Sequence, residues 1–362
     1  MTKPLKAYFC LFFFLVLFGM VMVFNIKVFS VDSPDLQVWR ILKSLTMNLL
    51  VASIGFGAAF LVNVDALRAW IKYALIAIII LLLATFVIGT DVNGSRRWIN
   101  LGIFMLQPSE FAKIVAVFYL SEVICNKRER IGLLKELVYP FGLISLIVII
   151  IAVEDLGTGI IILGVSMILL LMGGMKFKYL TVLVILASLV IAILILMKPY
   201  RMKRIEAFYD PFQYEKTIGY QQVQSQIAMG RGGLAGVGFG NSQRKMRYLP
   251  EASTDFIFAI IGEEFGFVGS TSVILLYLSL FIGGIYFALS RTNSFYMYLI
   301  SGFVLILCIQ SLINIGVVTS SIPNKGVPLP FISYGGSALL SYSMMMGFII
   351  NSAAADNRYF SY

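Results

Sequence analysis

Ionisable residues occupy four places in this sequence where apolar runs begin or end, and their types suit proton transfer and anion binding. Asp255 stands between a basic segment and the apolar run Phe256-Ile257-Phe258. A general base needs a defined position and access to a substrate proton more than it needs an extreme pKa. Asp255 is the candidate for that work, although Ser253 or Thr254 ahead of it would equally mark a helix start. Arg96, Arg97 and Trp98 follow Asn93-Gly94-Ser95. A Trp alone here would belong to an interfacial belt, whereas paired arginines beside it suit a phosphate clamp. Glu110 and Lys113, three residues apart after Pro108, share one helical face, either as an internal ion pair or as the lining of a polar cavity. Glu154 and Asp155 precede Gly157-Thr158-Gly159, where an acid caps a helix for ~0.3–1 kcal/mol or faces a site.

What is missing also limits the chemistry. The chain contains no histidine, which excludes imidazole bases, Ser-His triads and His-ligated metals. Cys10, Cys125 and Cys308 lie too far apart for a zinc spacing or a disulfide framework. The glycine-rich stretch 230–240 lacks the preceding strand and following helix of a phosphate-cradling loop.

The elements that must position these residues are membrane spans. Of 362 residues, 59% are hydrophobic and 13% charged, which is incompatible with a water-soluble enzyme. Apolar runs of spanning length lie near 7–29, 44–63, 70–89, 108–125, 137–153, 157–174, 179–197, 267–289, 297–319 and 336–353. The sequence thus predicts an all-α polytopic membrane protein of ten transmembrane helices, one integral domain over 1–362. Basic residues in the short connections orient it with both termini cytoplasmic. A large extracytoplasmic loop, about 198–266, then falls between the seventh and eighth spans. Between 198 and 254 it carries nine Lys and Arg residues against four acids, which suits a polyanionic ligand at the outer leaflet better than an incidental solvated loop. A single helix over 255–289 would reach about 50 Å against a hydrocarbon core of ~30 Å. We therefore expect a short helix over 255–264, a break at Gly262, Gly266 or Gly269, and a span from about 267. Irregular backbone at membrane depth needs protein or a wet cavity around it, so a site is expected there.

The stretch Pro323-Asn324-Lys325-Gly326-Val327-Pro328-Leu329-Pro330-Phe331-Ile332-Ser333-Tyr334-Gly335-Gly336-Ser337 resembles the C-terminal signature of the SEDS family (shape, elongation, division and sporulation). Blocks at 93–113, 219–242 and 248–267 agree with that family in order and spacing. Arg96-Arg97-Trp98, Gly219-Tyr220-Gln221, Gly240-Asn241-Ser242 and Asn324-Lys325-Gly326 lean towards FtsW, the division member, over RodA, the elongation member. A sporulation relative would look almost the same. The resemblance implies a peptidoglycan glycosyltransferase in the bacterial cytoplasmic membrane that polymerises lipid II at its outer face and releases undecaprenyl diphosphate. It implies a class B penicillin-binding protein transpeptidase and other divisome membrane proteins as partners, and no nucleic acid. By position Asp255 matches the family's loop aspartate, and Arg97, Trp98, Glu110, Lys113 and Asp155 match a polar cavity. Arg201 and Arg204, with Arg97 and Lys113, would offer cations to the diphosphate, and Lys325 and Ser333 of the signature join the substrate-binding set. Ser253 stands where the family commonly has His, which places the proton chemistry on the aspartate. No protein-held metal is expected; a divalent cation (Mg2+ or Mn2+) on the diphosphate stays an open option. The rival readings are a lipid II flippase that does no chemistry, an elongation-type polymerase, and a scaffold that only recruits the crosslinking enzyme.

Overall fold

The computed structural model describes residues 2–29, 34–92, 95–102, 104–127, 130–246 and 248–359; the expected turn residues Asn93 and Gly94 and the basic residue Arg247 lie outside them. Among the described residues twelve helices form: α1 (Lys3–Phe29), α2 (Pro34–Leu61), α3 (Val64–Ile88), α4 (Pro108–Asn126), α5 (Leu134–Glu154), α6 (Leu156–Met172), α7 (Phe177–Leu196), α8 (Pro199–Tyr209), α9 (Tyr220–Gly232), α10 (Ile257–Leu289), α11 (Ser294–Val318) and α12 (Gly336–Tyr359). The protein is thus a helical, multi-pass membrane protein. Eight of these helices are long and apolar enough to cross a bilayer. The other two expected spans correspond to α4 and α6. The first holds Glu110, Lys113 and Glu122, and the second has only 17 residues. Both pack inside the bundle, which their polar and small residues tolerate better than lipid.

One feature departs from the all-helical expectation. Between α3 and α4 the chain forms a three-stranded antiparallel sheet, β1 (Thr90–Val92), β2 (Ser95–Asn100) and β3 (Met105–Leu106), in the order β1-β2-β3. Alternation along β2 leaves Arg96 exposed while Arg97 is half-buried and Ile99 buried. The sheet therefore aims one arginine of the pair at the protein and the other at solvent.

The core is built on α11, whose buried face runs from Phe295 to Val318 against α4, α6 and α10. α12 packs along α2, where Gly347 comes so near α2 that a Cβ would stand 2.6 Å from Phe56 O. At the other extreme α7 buries none of its residues, so its apolar surface is left to lipid.

The 33-residue α10 is broken at Gly266, at one of the expected positions, with φ 67° and ψ −159°. Its severed backbone is repaired by the glycine-rich stretch 233–238. Val237 N and Gly238 N donate to Glu263 O and Glu264 O at 3.0 Å, while Phe267 N and Val268 N donate to Gly233 O and Leu234 O at 2.9 and 3.2 Å. Glycine is required for that approach: a Cβ on Gly266 would meet Gly236 N at 2.4 Å, and one on Gly236 would meet Glu264 O at 2.1 Å. The two acids before the break are satisfied internally. Glu264 pairs with Lys245 at 2.8 Å and accepts from Asn25 Nδ2 at 2.7 Å. Glu263 accepts from Ser242 Oγ, from Gln243 N at 3.2 Å and from Arg244 N at 3.3 Å. The glycine stretch is thus a splint for a broken helix. Gly266→Ala should lower stability by about 1–3 kcal/mol or more, because its backbone region is essentially closed to other residues. Thermal unfolding in detergent checks this, and an unchanged midpoint would contradict it.

Candidate active site

Asp255 closes a turn immediately before α10. Glu251, at the start of that turn, adopts φ 57°. Its carbonyl accepts from Thr254 N at 3.1 Å and Phe256 N at 3.2 Å, and its carboxylate accepts from Thr254 Oγ1 at 2.8 Å. The three carbonyls that follow are each tied to another element. Ser253 O accepts from Tyr334 N at 2.8 Å, Thr254 O from the Ser333 hydroxyl, and Asp255 O from Asn314 Nδ2 at 2.7 Å. The signature segment 323–334, between α11 and α12, thus lies alongside the turn. It comes so close that a Cβ on Gly326 would stand 3.2 Å from Asp255 Oδ2. No hydrogen bond or ion pair within the described residues occupies the half-buried Asp255 carboxylate.

Cations approach from two other elements. Arg97, on β2, pairs with Asp155 at 3.3 Å, and its buried Nε makes no hydrogen bond among the described residues. Asp155 also accepts from Thr158 N and Thr158 Oγ1, both at 3.0 Å, and from Gln107 Nε2 at 3.3 Å. It therefore caps α6 and holds Arg97 at once. Arg204, on α8, donates to Asn324 O at 3.3 Å. Gly157, at the start of α6, lets the signature segment come close: a Cβ there would lie 2.9 Å from Val327. Beside Arg97 and Asp155 a cavity opens between Leu82 and Phe86 of α3 and Ile151 of α5. It has an apolar wall and an ionic floor.

The electrostatic balance at Asp255 favours the neutral acid. Burial raises its pKa to about 7, with help from Glu251 and Asp155, against the lowering pull of Arg97 and Arg204. Burial likewise draws the Lys325 ammonium below its ordinary value. Lys325 is half-buried on the signature segment, next to Gly326.

The remaining expected residues have other surroundings. Trp98 is half-buried on β2 opposite Thr90. Glu110 and Lys113 form a 2.7 Å ion pair with side chains 3% and 0% exposed, beyond direct reach of a ligand in this conformation. Lys113 also donates to Gln310 Oε1 at 3.0 Å, and Gln310 donates to Tyr342 OH and, at 3.4 Å, to Pro328 O. The pair therefore supports the signature segment from beneath. Arg201, expected among the diphosphate cations, donates to Leu194 O, Ala152 O and Val153 O at 2.8, 3.0 and 2.9 Å and ties α7 to the end of α5. Ser333 both donates to Thr254 O and accepts from Leu329 N at 2.8 Å. Gln310 and Asn314, amides four apart on one face of an apolar helix, are the residues that attention to charged groups alone passes over; polar side chains inside a span were the available signal.

A family model described as "Cell cycle protein" and named for FtsW, RodA and SpoVE matches residues 5–358. The chain belongs to the FtsW/RodA/SpoVE family. It is 38% identical over 311 residues to stage V sporulation protein E of Bacillus subtilis (strain 168), covering 84% of this chain and 85% of that one. It is 34% identical over 338 residues to the probable peptidoglycan glycosyltransferase FtsW of Geobacter sp. (strain M18), covering 92% of each. Its fold is similar to a solved chain of a peptidoglycan synthase complex that coordinates polymerization and crosslinking, with TM-score 0.77, 24% identity and 98% of each chain covered.

The buried pair invites a double-mutant test. Lys113→Ala alone strands a carboxylate and should cost about 3–5 kcal/mol, whereas Glu110→Leu with Lys113→Met should recover most of that loss. Unfolding in detergent reads both; equal losses in the single and double variants would mean that the pair is not the source.

Proposed function

We propose that this chain is a peptidoglycan glycosyltransferase of the bacterial cytoplasmic membrane that polymerises lipid II at the outer face, with both termini cytoplasmic and ten spans. The observation that carries the reading is the unpaired, half-buried Asp255 carboxylate, poised at about 7 between Arg97 and Arg204. Membership in a family whose relatives include named glycosyltransferases supports it. Relatives named for division and for sporulation favour those roles over elongation. The fold shared with a complex that couples polymerization to crosslinking supports a class B penicillin-binding protein as partner, and a division role would add other divisome membrane proteins.

The residues suit an inverting displacement. Asp255 accepts the proton of the acceptor sugar hydroxyl as its oxygen bonds to the anomeric carbon of the growing chain. The bond from that carbon to the diphosphate oxygen breaks, and undecaprenyl diphosphate leaves with the electron pair. Arg97, with a free buried Nε, and Arg204 lie where charge grows on the departing diphosphate. The small cavity beside Arg97 and Asp155 marks where this ionic cluster meets the apolar side chains of α3 and α5. Glu110, Lys113, Arg201 and Ser333 act by holding this arrangement. Among the described residues no three Cys, Asp or Glu side chains converge on an ion. A divalent cation carried in on the diphosphate is outside that count, and no step here runs through one.

Purified protein incubated with lipid II in detergent, where no second leaflet exists, should form glycan strands, which a pure flippase or scaffold cannot do. Asp255→Asn should lower the rate at least 10²–10⁴-fold, the usual contribution of a positioned base. Because the base must be ionised, wild-type activity should rise with pH through about 7. Near-wild-type synthesis by folded Asp255→Asn would overturn the assignment.

A further inference from the structure

We infer that Asn314 is a positioning residue for the reaction: its side-chain amide clamps the backbone of Asp255 to the signature segment and so sets where the carboxylate points. The inference rests on the reading of Asp255 as the base. Asn314 Nδ2 donates to Asp255 O and to Val327 O, each at 2.7 Å. Two carbonyl partners on one nitrogen fix the orientation of the amide, since its oxygen would repel both. The oxygen itself is buried and has no hydrogen-bond partner among the described residues. A buried acceptor left without a partner is unfavourable, so the side chain is held for what its donors do.

The geometry makes the clamp specific to the base. Ser253 and Thr254 are tied to Tyr334 and Ser333 of the signature segment, so their tethers fix the turn from one side only. Asn314 is the side chain that binds Asp255 itself, and it does so from α11, one of the most buried helices of the bundle. Its other bond, to Val327, holds the residue after Gly326, whose α-carbon faces Asp255 Oδ2. Four residues earlier on the same face, Gln310 reaches Pro328 O and Lys113. Consecutive carbonyls at 327 and 328 are therefore anchored to consecutive turns of one rigid helix. The groups that face Asp255 are Glu251 in its own turn, Arg97 on β2, Arg204 on α8, Asp155 at the start of α6 and Tyr342 on α12. Changing Asn314 alters none of these charges, only the position and hydration of the carboxylate among them.

The test compares lipid II polymerisation by wild type, Asn314→Leu, Asn314→Gln and Asp255→Asn in detergent from pH 5 to 9, with folding checked by thermal unfolding. Asn314→Leu keeps the size and loses the donors. It should lower kcat by about 10–100-fold, as misplacement of a catalytic group does, with KM for lipid II little changed. Its acid limb should move to lower pH, because a loosened carboxylate gains water and its pKa falls back towards the ordinary range. Asn314→Gln, which keeps the donors, should restore part of kcat and move the limb back towards wild type. A merely structural role would lower the yield of folded protein and leave the limb in place. Wild-type kcat and limb in Asn314→Leu would overturn the inference while an inactive Asp255→Asn leaves the base reading standing. If Asn314→Leu does not fold, Asn314→Ala, which also lacks the donors, decides: a lowered kcat with a shifted limb supports the clamp, and a wild-type profile overturns it. Activity in Asp255→Asn would remove the base and the clamp together.

Discussion

Inside a bilayer the backbone has no water to bond with, so every departure from helix must be closed by protein. Among the described residues two departures from helix stand next to each other, the break in α10 and the irregular signature segment, and each is closed against the first half of α10. The glycine stretch supplies two donors and two acceptors to the severed ends at Gly266. The signature segment and α11 take up the carbonyls of residues 253–255. The half-helix between them is therefore pinned at both ends. Asp255 lies at one of those ends, so its position is fixed.

Ionic groups in the structure fall into two kinds, separated by how completely they are satisfied. Lys245 with Glu264 and Asn25, Lys113 with Glu110 and Gln310, and Arg201 with three carbonyls have their charge or donors matched at hydrogen-bond distance. Such buried groups add little net stability, but removing one partner costs several kcal/mol. They fix the packing of α1, α4, α5 and α7 around the site. Asp255, Arg97 and Arg204 are the incomplete set. The first has a free carboxylate, the second a free Nε, and the third one carbonyl contact at 3.3 Å. Of these groups, Asp255, Arg97 and Arg204 keep capacity for a ligand.

Apolar length made the eight long apolar helices legible, because hydrocarbon thickness sets how long a helix must be. The same arithmetic located the α10 break, since an unbroken helix would overshoot the bilayer. Asp255 and Arg97 were legible as charges beside apolar runs. Which charges are spent internally was not, because the spending partners are distant in sequence: Arg201 meets carbonyls 48 and 49 residues away, and Lys113 meets Gln310 across 197. The glycine stretch read as a weak phosphate-loop likeness because its true partner, the broken α10, is recognisable only in three dimensions. The sheet β1–β3 was hidden by strands of three, six and two residues, too short for a period of two to register. Asn314 carries little signal in the sequence, because an uncharged amide barely dents an apolar run.

In the proposed reaction, departure of a diphosphate sets two demands on Asp255 that oppose each other. Cations must be near to receive the leaving charge, yet cations lower the pKa of a neighbouring base and weaken it. The structure meets both by giving each cation a nearer partner. Arg97 is paired with Asp155 at 3.3 Å, and no ion pair links it to Asp255. Arg204 is turned to the carbonyl of Asn324. Asp155 also adds its own negative field at Asp255, in the same direction as Glu251. With the arginines held off, desolvation is the largest influence and the carboxyl settles at about 7, near the working pH that favours a general base. On the proposed mechanism Asp155 would take part without touching the reacting atoms: it would keep Arg97 close enough for the diphosphate and occupied enough to leave the base unquenched.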